Sequence, residues 1–288
     1  MTYYDNVYLS HLRLVKNNFP VRPGEVQIIY RKLTVNLLDK YFFKIIKQLG
    51  VNEFYECGAH EASASILFLQ LAKSYSTTGK AIAIEANPHT YKEKTLITQK
   101  FGVETYNLAL GAKEGEINIH IQSNNLTSGS TSLLAKVKNE KFDYATVNSS
   151  TIDRIYKLNS SRISPTAFWI DVEGFGFEVL KGGYETFKEK NVKIIKIELE
   201  KKAIWKNQKL ASDVNHLFLS YGYLPILFDF ERENQHNCVY IRREHISDVK
   251  NLISEHHRDL NNLKLTSWEY FYHTCRDFLH SKIIIIGT

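Results

Sequence analysis

From residue 51 onward, short runs of β-branched and aromatic residues alternate with stretches of helical periodicity, and this alternation constrains the fold more than any other feature of the chain. Strands separated by helices need crossover connections, which set the strands parallel in one sheet with helices on its faces. The runs 51–57, 81–86, 103–110, 167–172 and 192–199 predict five such strands. A helix through Ile66, Leu67 and Leu71 follows the first and ends near Thr78-Gly79. Pro88 suits the first turn of a helix reaching about Phe101, where Gly102 stops it. Further helices are expected at about 175–188 and 212–221, with a helical turn at 152–156. The segment 116–122, with Ile117, Ile119 and Ile121 alternating with polar residues, predicts a strand with one wet face, and 144–149 another short strand. Between them lies the polar loop 123–132. Two runs, 224–230 and 237–242, flank the loop 231–236 and predict a closing hairpin.

The chain has 288 residues, 43% hydrophobic and 24% charged, enough to bury a core and incompatible with intrinsic disorder. No apolar run approaches the roughly 18 residues of a spanning helix. The first twenty residues mix Asp5, His11, Arg13 and Lys16 with apolar positions and contain no signal-like apolar stretch. Cys57, Cys238 and Cys275 are widely separated with no C-x-x-C pair, so neither a disulfide framework nor a zinc site is expected, and a cytoplasmic setting fits. The net charge of +6 is compatible with a nucleic-acid or anionic-glycan partner, but Lys and Glu are interspersed, as on a solvated surface. Three parts are expected: a helical appendage at 1–50, one main domain at 51–243 and a helical, aromatic extension at 244–288. Leu37, Leu38, Phe42, Phe43 and Ile46 share helical spacing and suit either a lid or a contact between copies in a homo-oligomer. The C-terminal aromatics Trp268, Tyr270, Phe271 and Tyr272 read as a packing or dimer element.

In open α/β sheets, ligands sit beyond the carboxyl ends of the strands. The first strand ends in Glu56-Cys57-Gly58-Ala59-His60-Glu61-Ala62, where small residues at the strand-to-helix turn let backbone approach a ligand and leave helix N–H groups for an anionic portion; a tight packing turn has the same pattern. The second ends in Glu85-Ala86-Asn87-Pro88. A carboxylate there can accept both hydroxyls of a ribose, or simply be solvated. The second and third glycines of a dinucleotide fingerprint are missing, which favours a single nucleoside. Asn107, near the end of the third strand, is either an adenine contact or a turn residue. The fourth strand ends in Asp171-Val172-Glu173-Gly174. Two carboxylates at alternate positions there are costly to desolvate, which points to function, although helix capping or solvation would also accommodate them.

In order along the chain, Glu56-x-Gly58-Ala59, Glu85-x-Asn87-Pro88, Asn107-x-Ala109-Leu110-Gly111, Ser128-Gly129-Ser130-x-Ser132-Leu133, Thr151-Ile152-Asp153, Asp171-Val172-Glu173-Gly174 and Glu178-Val179-Leu180-Lys181-Gly182 resemble the FkbM family of S-adenosylmethionine-dependent methyltransferases. The resemblance covers about residues 51–243. It implies a Rossmann-like class I methyltransferase fold, a seven-stranded, mainly parallel sheet whose last strand is antiparallel. It also implies cofactor contacts from Glu56, Gly58, Ala59, His60, Glu85, Ala86, Asn87, Asn107 and Ala109. The chain departs from the family pattern at Glu56 (usually Asp), His60 (Asn), Ala62 (Gly) and Gly176 (often Glu).

The expected reaction is O-methylation of a small-molecule or glycan hydroxyl, with Asp171 as general base or orienting group and Glu173 supporting it. A divalent ion on Asp171, Glu198 and Glu200 would be an alternative way to activate the hydroxyl, although no spacing requires it. Two competing functions remain at this level. One is a nucleic-acid methyltransferase, against which the absence of a Pro-Pro-aromatic tetrapeptide after the fourth strand counts. The other is a cofactor-binding protein without catalysis.

Overall fold

The computed structural model describes residues 23–129, 131–135, 142–161, 163–229 and 234–261. The elements run α1 (Pro23–Gln48), β1 (Glu53–Cys57), α2 (Ser63–Ser74), β2 (Lys80–Glu85), α3 (88–101), β3 (Val103–Asn107), β4 (Ala109–Leu110), β5 (Gly115–Gln122), β6 (Phe142–Ser150), α4 (Ile152–Asn159), β7 (Thr166–Ile170), α5 (Gly176–Lys181), β8 (Val192–Glu200), α6 (Ala211–Ser220), β9 (Tyr223–Phe228), β10 (Gln235–Arg242) and α7 (Ile246–Asn261). Ser130 of the serine loop, Cys275 and the aromatics at 268–272 lie outside the described residues.

Seven strands form one sheet in the order β3-β2-β1-β7-β8-β10-β9. The first five pair in parallel, and β10 runs antiparallel to both of its neighbours. The predicted hairpin is thus β9 and β10, with β10 inserted between β8 and the edge. Both faces of the sheet are covered, which is why its strands read as continuous apolar runs. Tyr55, Cys57, Ile84, Phe168, Ile170, Ile195 and Ile197 face α4, α5 and α6. Phe54, Ala81, Ala167, Ile194, Val239 and Ile241 face the other layer, built by α1, α2 and α7.

The apolar face of α1 is engaged within the chain. Leu38, Tyr41, Phe42 and Ile45 are fully buried, as a 3.6-residue period on the sheet requires. Lys196, in the middle of β8, is only 2% exposed; its Nζ lies 2.5 Å from Asp39 of α1 and over the Trp169 ring. Helix α7 packs alongside α1, where the Tyr41 hydroxyl donates to Asp259 and His256 meets the Tyr41 ring edge-on.

Two expected elements are divided. The run 103–110 is two strands: β3 ends at Asn107 in the main sheet, and β4 pairs instead with β6 in a three-stranded sheet of order β4-β6-β5. Leu108 is the hinge, its N–H donating to the Glu85 carbonyl at the end of β2. The expected helix 175–188 stops at Gly182, resuming only as the short 3₁₀ turn Thr186–Lys188. A Cβ on Gly182 would stand 2.0 Å from the Gly111 carbonyl oxygen, so close backbone packing against the β4–β5 turn accounts for the glycine. Helix α3 keeps its predicted span but changes pitch, with a π turn at Tyr91–Thr95 and 3₁₀ geometry from Leu96.

Candidate active site

The parallel order places the ends of β2, β1 and β7 side by side, and a cavity lies beyond them. Of the predicted site residues, Gly58, His60, Glu85, Ala86, Asp171 and Glu173 line it. Ile84, Leu108, Leu110 and Val172 add apolar walls, the small sheet contributes Ile119, and Ser128, Gly129, Thr131, Ser132 and Leu133 close one side. The enclosed space is about 220 Å³, below the roughly 300 Å³ usual for drug-sized ligands. Leu126, Thr127, Thr131 and Ser132 are tied across it by hydrogen bonds.

Those ties begin at Asn87. Its amide donates to the Leu126 carbonyl (2.7 Å) and to Thr131 Oγ1 (3.0 Å), while its Oδ1 accepts from the N–H groups of His89 and Thr90 at the start of α3. All the hydrogen-bonding capacity of its side chain is taken up, and Asn87 is fully buried behind the wall rather than in it. The His60 ring lies 3.0 Å from the Thr127 carbonyl, with the Lys94 ammonium beside both. Ser132 accepts from the Leu134 N–H and donates to the Glu173 carbonyl at 2.7 Å.

Glu85 is the organising carboxylate on the β2 side. One oxygen accepts the His60 N–H and the other the Asn87 N–H, each at 2.8 Å, so Glu85 joins the turns after β1 and β2. Burial pushes its carboxyl above the ordinary range, opposed by those two donors. A carboxylate offers about four acceptor sites, and beyond these donors and the Ala86 N–H it keeps capacity for a hydroxyl in the cavity.

Several candidate residues do their work outside the cavity. Glu56 reaches α2, accepting from Ser65 N–H at 2.7 Å and Ala64 N–H at 3.4 Å. It supplies the N-terminal acceptor that Ala62, with no capping side chain and φ +50°, does not. Burial raises its carboxyl to about 7 despite these bonds. Gly58 lines the cavity, but its neighbour dictates the residue: at φ +78°, a Cβ would stand 1.7 Å from the Asp171 carbonyl oxygen. The amide of Asn107 donates to the carbonyls of Glu85 and Ala86. Ala59 and Ala109 are buried in apolar clusters. The residues facing the cavity from this stretch are Leu108 and Leu110, one position out of phase with the prediction, because the chain changes sheets there.

On the β7 side, the turn after Ile170 is bent at Glu173 (φ +45°) and packed against Trp205, which lies on Gly174. Asp171, Glu173 and Glu198 at the end of β8 each place one carboxylate oxygen within 4.8 Å of the others. Glu200, expected in such a group, is not in it. It lies two residues farther along β8, opposite Gln235. Asp171 and Glu173 bring two of these carboxylates to the cavity on the side opposite Glu85, and Glu198 adjoins them without lining it.

A sheet of order β3-β2-β1-β7-β8-β10-β9 with one antiparallel strand, carrying carboxylates beyond β2 and β7, is that of a class I methyltransferase. A family model described as "Methyltransferase FkbM domain" matches residues 56–225. The chain belongs to this family of S-adenosylmethionine-dependent methyltransferases. No curated protein matches it in sequence. Among solved structures, magnesium protoporphyrin IX methyltransferase from Synechocystis with bound S-adenosylhomocysteine is similar at 10% identity and a TM-score of 0.41, covering 83% of this chain and 96% of that one. Precorrin-6y C5,15-methyltransferase from Geobacter metallireducens is similar at 14% identity and 0.37, covering 68% and 82%. Among the described residues, no helix is long and apolar enough to cross a membrane.

Proposed function

We propose that the chain methylates a hydroxyl of a small molecule or glycan, with the adenosine of the cofactor seated between Glu85 and the Asp171–Glu173 turn. The observation that carries this reading is the arrangement of three adjacent strand ends, with Glu85 beyond β2, Gly58 beyond β1 and Asp171 with Glu173 beyond β7, on one cavity. S-adenosylmethionine supplies a methyl group on a sulfonium, open to in-line displacement by an acceptor oxygen. The remaining acceptor capacity of Glu85 suits a ribose hydroxyl, and Ile84, Leu108 and Leu110 suit a flat base. Seating a whole adenosine displaces the 126–129 segment, whose ties to Asn87 and His60 are single hydrogen bonds.

Asp171 takes the acceptor proton, with Glu173 and Glu198 as the neighbouring carboxylates of the cluster. As the oxygen–carbon bond forms and the sulfur–carbon bond breaks, the hydroxyl proton passes to Asp171 and S-adenosylhomocysteine leaves. Residues 51–243 form the transferase unit in this reading, with α1 and α7 as appendages. Cys57 and Cys238, both buried and neither in a disulfide, suit a reducing, cytoplasmic setting.

The test uses Asp171→Asn with methyl-tritiated S-adenosylmethionine and fractionated hydroxylated acceptors. Turnover should fall by about 10²-fold or more while S-adenosylhomocysteine affinity, measured by calorimetry, stays within a few fold. Undiminished turnover refutes the base assignment; absence of cofactor-product binding to the wild type refutes the site.

A further inference from the structure

We infer that the groove on the outer side of the catalytic turn receives the methyl acceptor, and that it selects an acceptor bearing a phosphate, sulfate or carboxylate next to a flat apolar part. This rests on the transferase reading above. The groove has a volume of about 670 Å³, within the range of small-molecule sites. It adjoins the cofactor cavity along a shared partition. Leu133 lines both; Leu110 and Glu173 face the cavity, while the next residues in the chain, Gly111 and Gly174, face the groove. An acceptor whose body lies in the groove rests against Gly174 and Phe175, and its hydroxyl passes the partition at Leu133 to reach Asp171 and Glu173 on the cavity side.

The chemistry of the walls sets the ligand class. Phe175 and Phe177 from the start of α5 offer aromatic surface, both half-buried. The ammonium groups of Lys181 and Lys209 flank the Phe177 ring at 5.9 and 5.7 Å from its centroid. Lys113 enters from the β4–β5 turn. Two of the groove's carboxylates are already engaged, Glu114 by Arg154 and Glu178 by Lys181, whereas Glu116 has no ion-pair partner among the described residues. Lys113 and Lys209 likewise have no carboxylate partner there. Lys209 is the last of four lysines, with Lys201, Lys202 and Lys206, in the stretch 201–212, which has no acidic residue. Lys113 and Lys209 against Glu116 alone leave one excess positive charge in the groove, and the Lys209 ammonium beside the Phe177 ring attracts an anion whose apolar body can stack there.

The experiment titrates the full chain, saturated with S-adenosylhomocysteine, with phenyl phosphate, inorganic phosphate and benzyl alcohol, using calorimetry and saturation-transfer NMR. Phenyl phosphate should bind most tightly. Lys113→Ala/Lys209→Ala should weaken it by about fivefold or more, and Lys92→Ala, on exposed α3, should not. Phe177→Ala should weaken phenyl phosphate but leave inorganic phosphate unchanged. Equal affinity for benzyl alcohol, no loss in the double lysine variant, or no phenyl phosphate binding overturns the inference. The S-adenosylhomocysteine isotherm, recorded separately, reports on the transferase reading. Repeating the phenyl phosphate titration without it tests the groove even if that reading fails.

Discussion

Glu56→Gln should stabilise the protein at alkaline pH and do little in mild acid. Glu56 is buried at 5% exposure, with its oxygens on the N–H groups of Ser65 and Ala64. Desolvation is the largest cause of its raised carboxyl, with Asp171 adding repulsion. The folded protein therefore holds a proton on Glu56 up to about pH 7, whereas the unfolded chain releases it near 4.5. Between those values the folded state binds more protons, so stability falls as pH rises, by about 1.4 kcal/mol per pH unit and about 3 kcal/mol in all. Glutamine keeps one acceptor oxygen for the Ser65 N–H and carries no charge to desolvate. Urea unfolding at pH 5 and pH 8 should show a variant near the wild type at pH 5 and more stable at pH 8 by up to about 3 kcal/mol. A variant less stable than the wild type at pH 8, or one with an unchanged pH slope, refutes the reasoning.

Gly58→Ala should cost about 3 kcal/mol or more, because the added Cβ meets the Asp171 carbonyl while the backbone stays left-handed; a loss under 1 kcal/mol in chemical denaturation would show that the β1–β7 junction yields. Asp39→Ala leaves the Lys196 ammonium buried with only the Trp169 face. The expected cost is about 2–4 kcal/mol, below that of a fully buried pair because Asp39 is 31% exposed. Adding Lys196→Met should restore most of it, and an Asp39→Ala variant as stable as the wild type would remove the pair from the account of how α1 is held.

Local pattern was sufficient for the main sheet because each of its strands carries its own signal. Apolar runs such as 81–86 and 192–199 are buried on both faces, so their composition announces them without knowledge of any neighbour. The Asp171 and Glu173 pair was legible for a related reason: alternate carboxylates at a strand end are conspicuous against an apolar background. Asn87, Asn107 and Glu56 sit beside strand ends, and proximity along the chain does not reveal which way a polar side chain turns. Here each bonds backbone or loop groups: the start of α3 with Leu126 and Thr131, the carbonyls ending β2, and the first N–H groups of α2.

The alternation of strand and helix, the carboxylates at the strand ends and the family were written in the order of residues, since each depends on neighbours a few positions away. Other features belong to contacts between distant segments. Leu108 switches the chain between sheets because the Glu85 carbonyl, more than twenty positions earlier, takes its N–H. Glu198, rather than Glu200, joins Asp171 and Glu173 because parallel pairing sets β8 in register beside β7. Long-range register and the competition of polar groups for partners act only once the chain is folded, and no reading of local periodicity contains them.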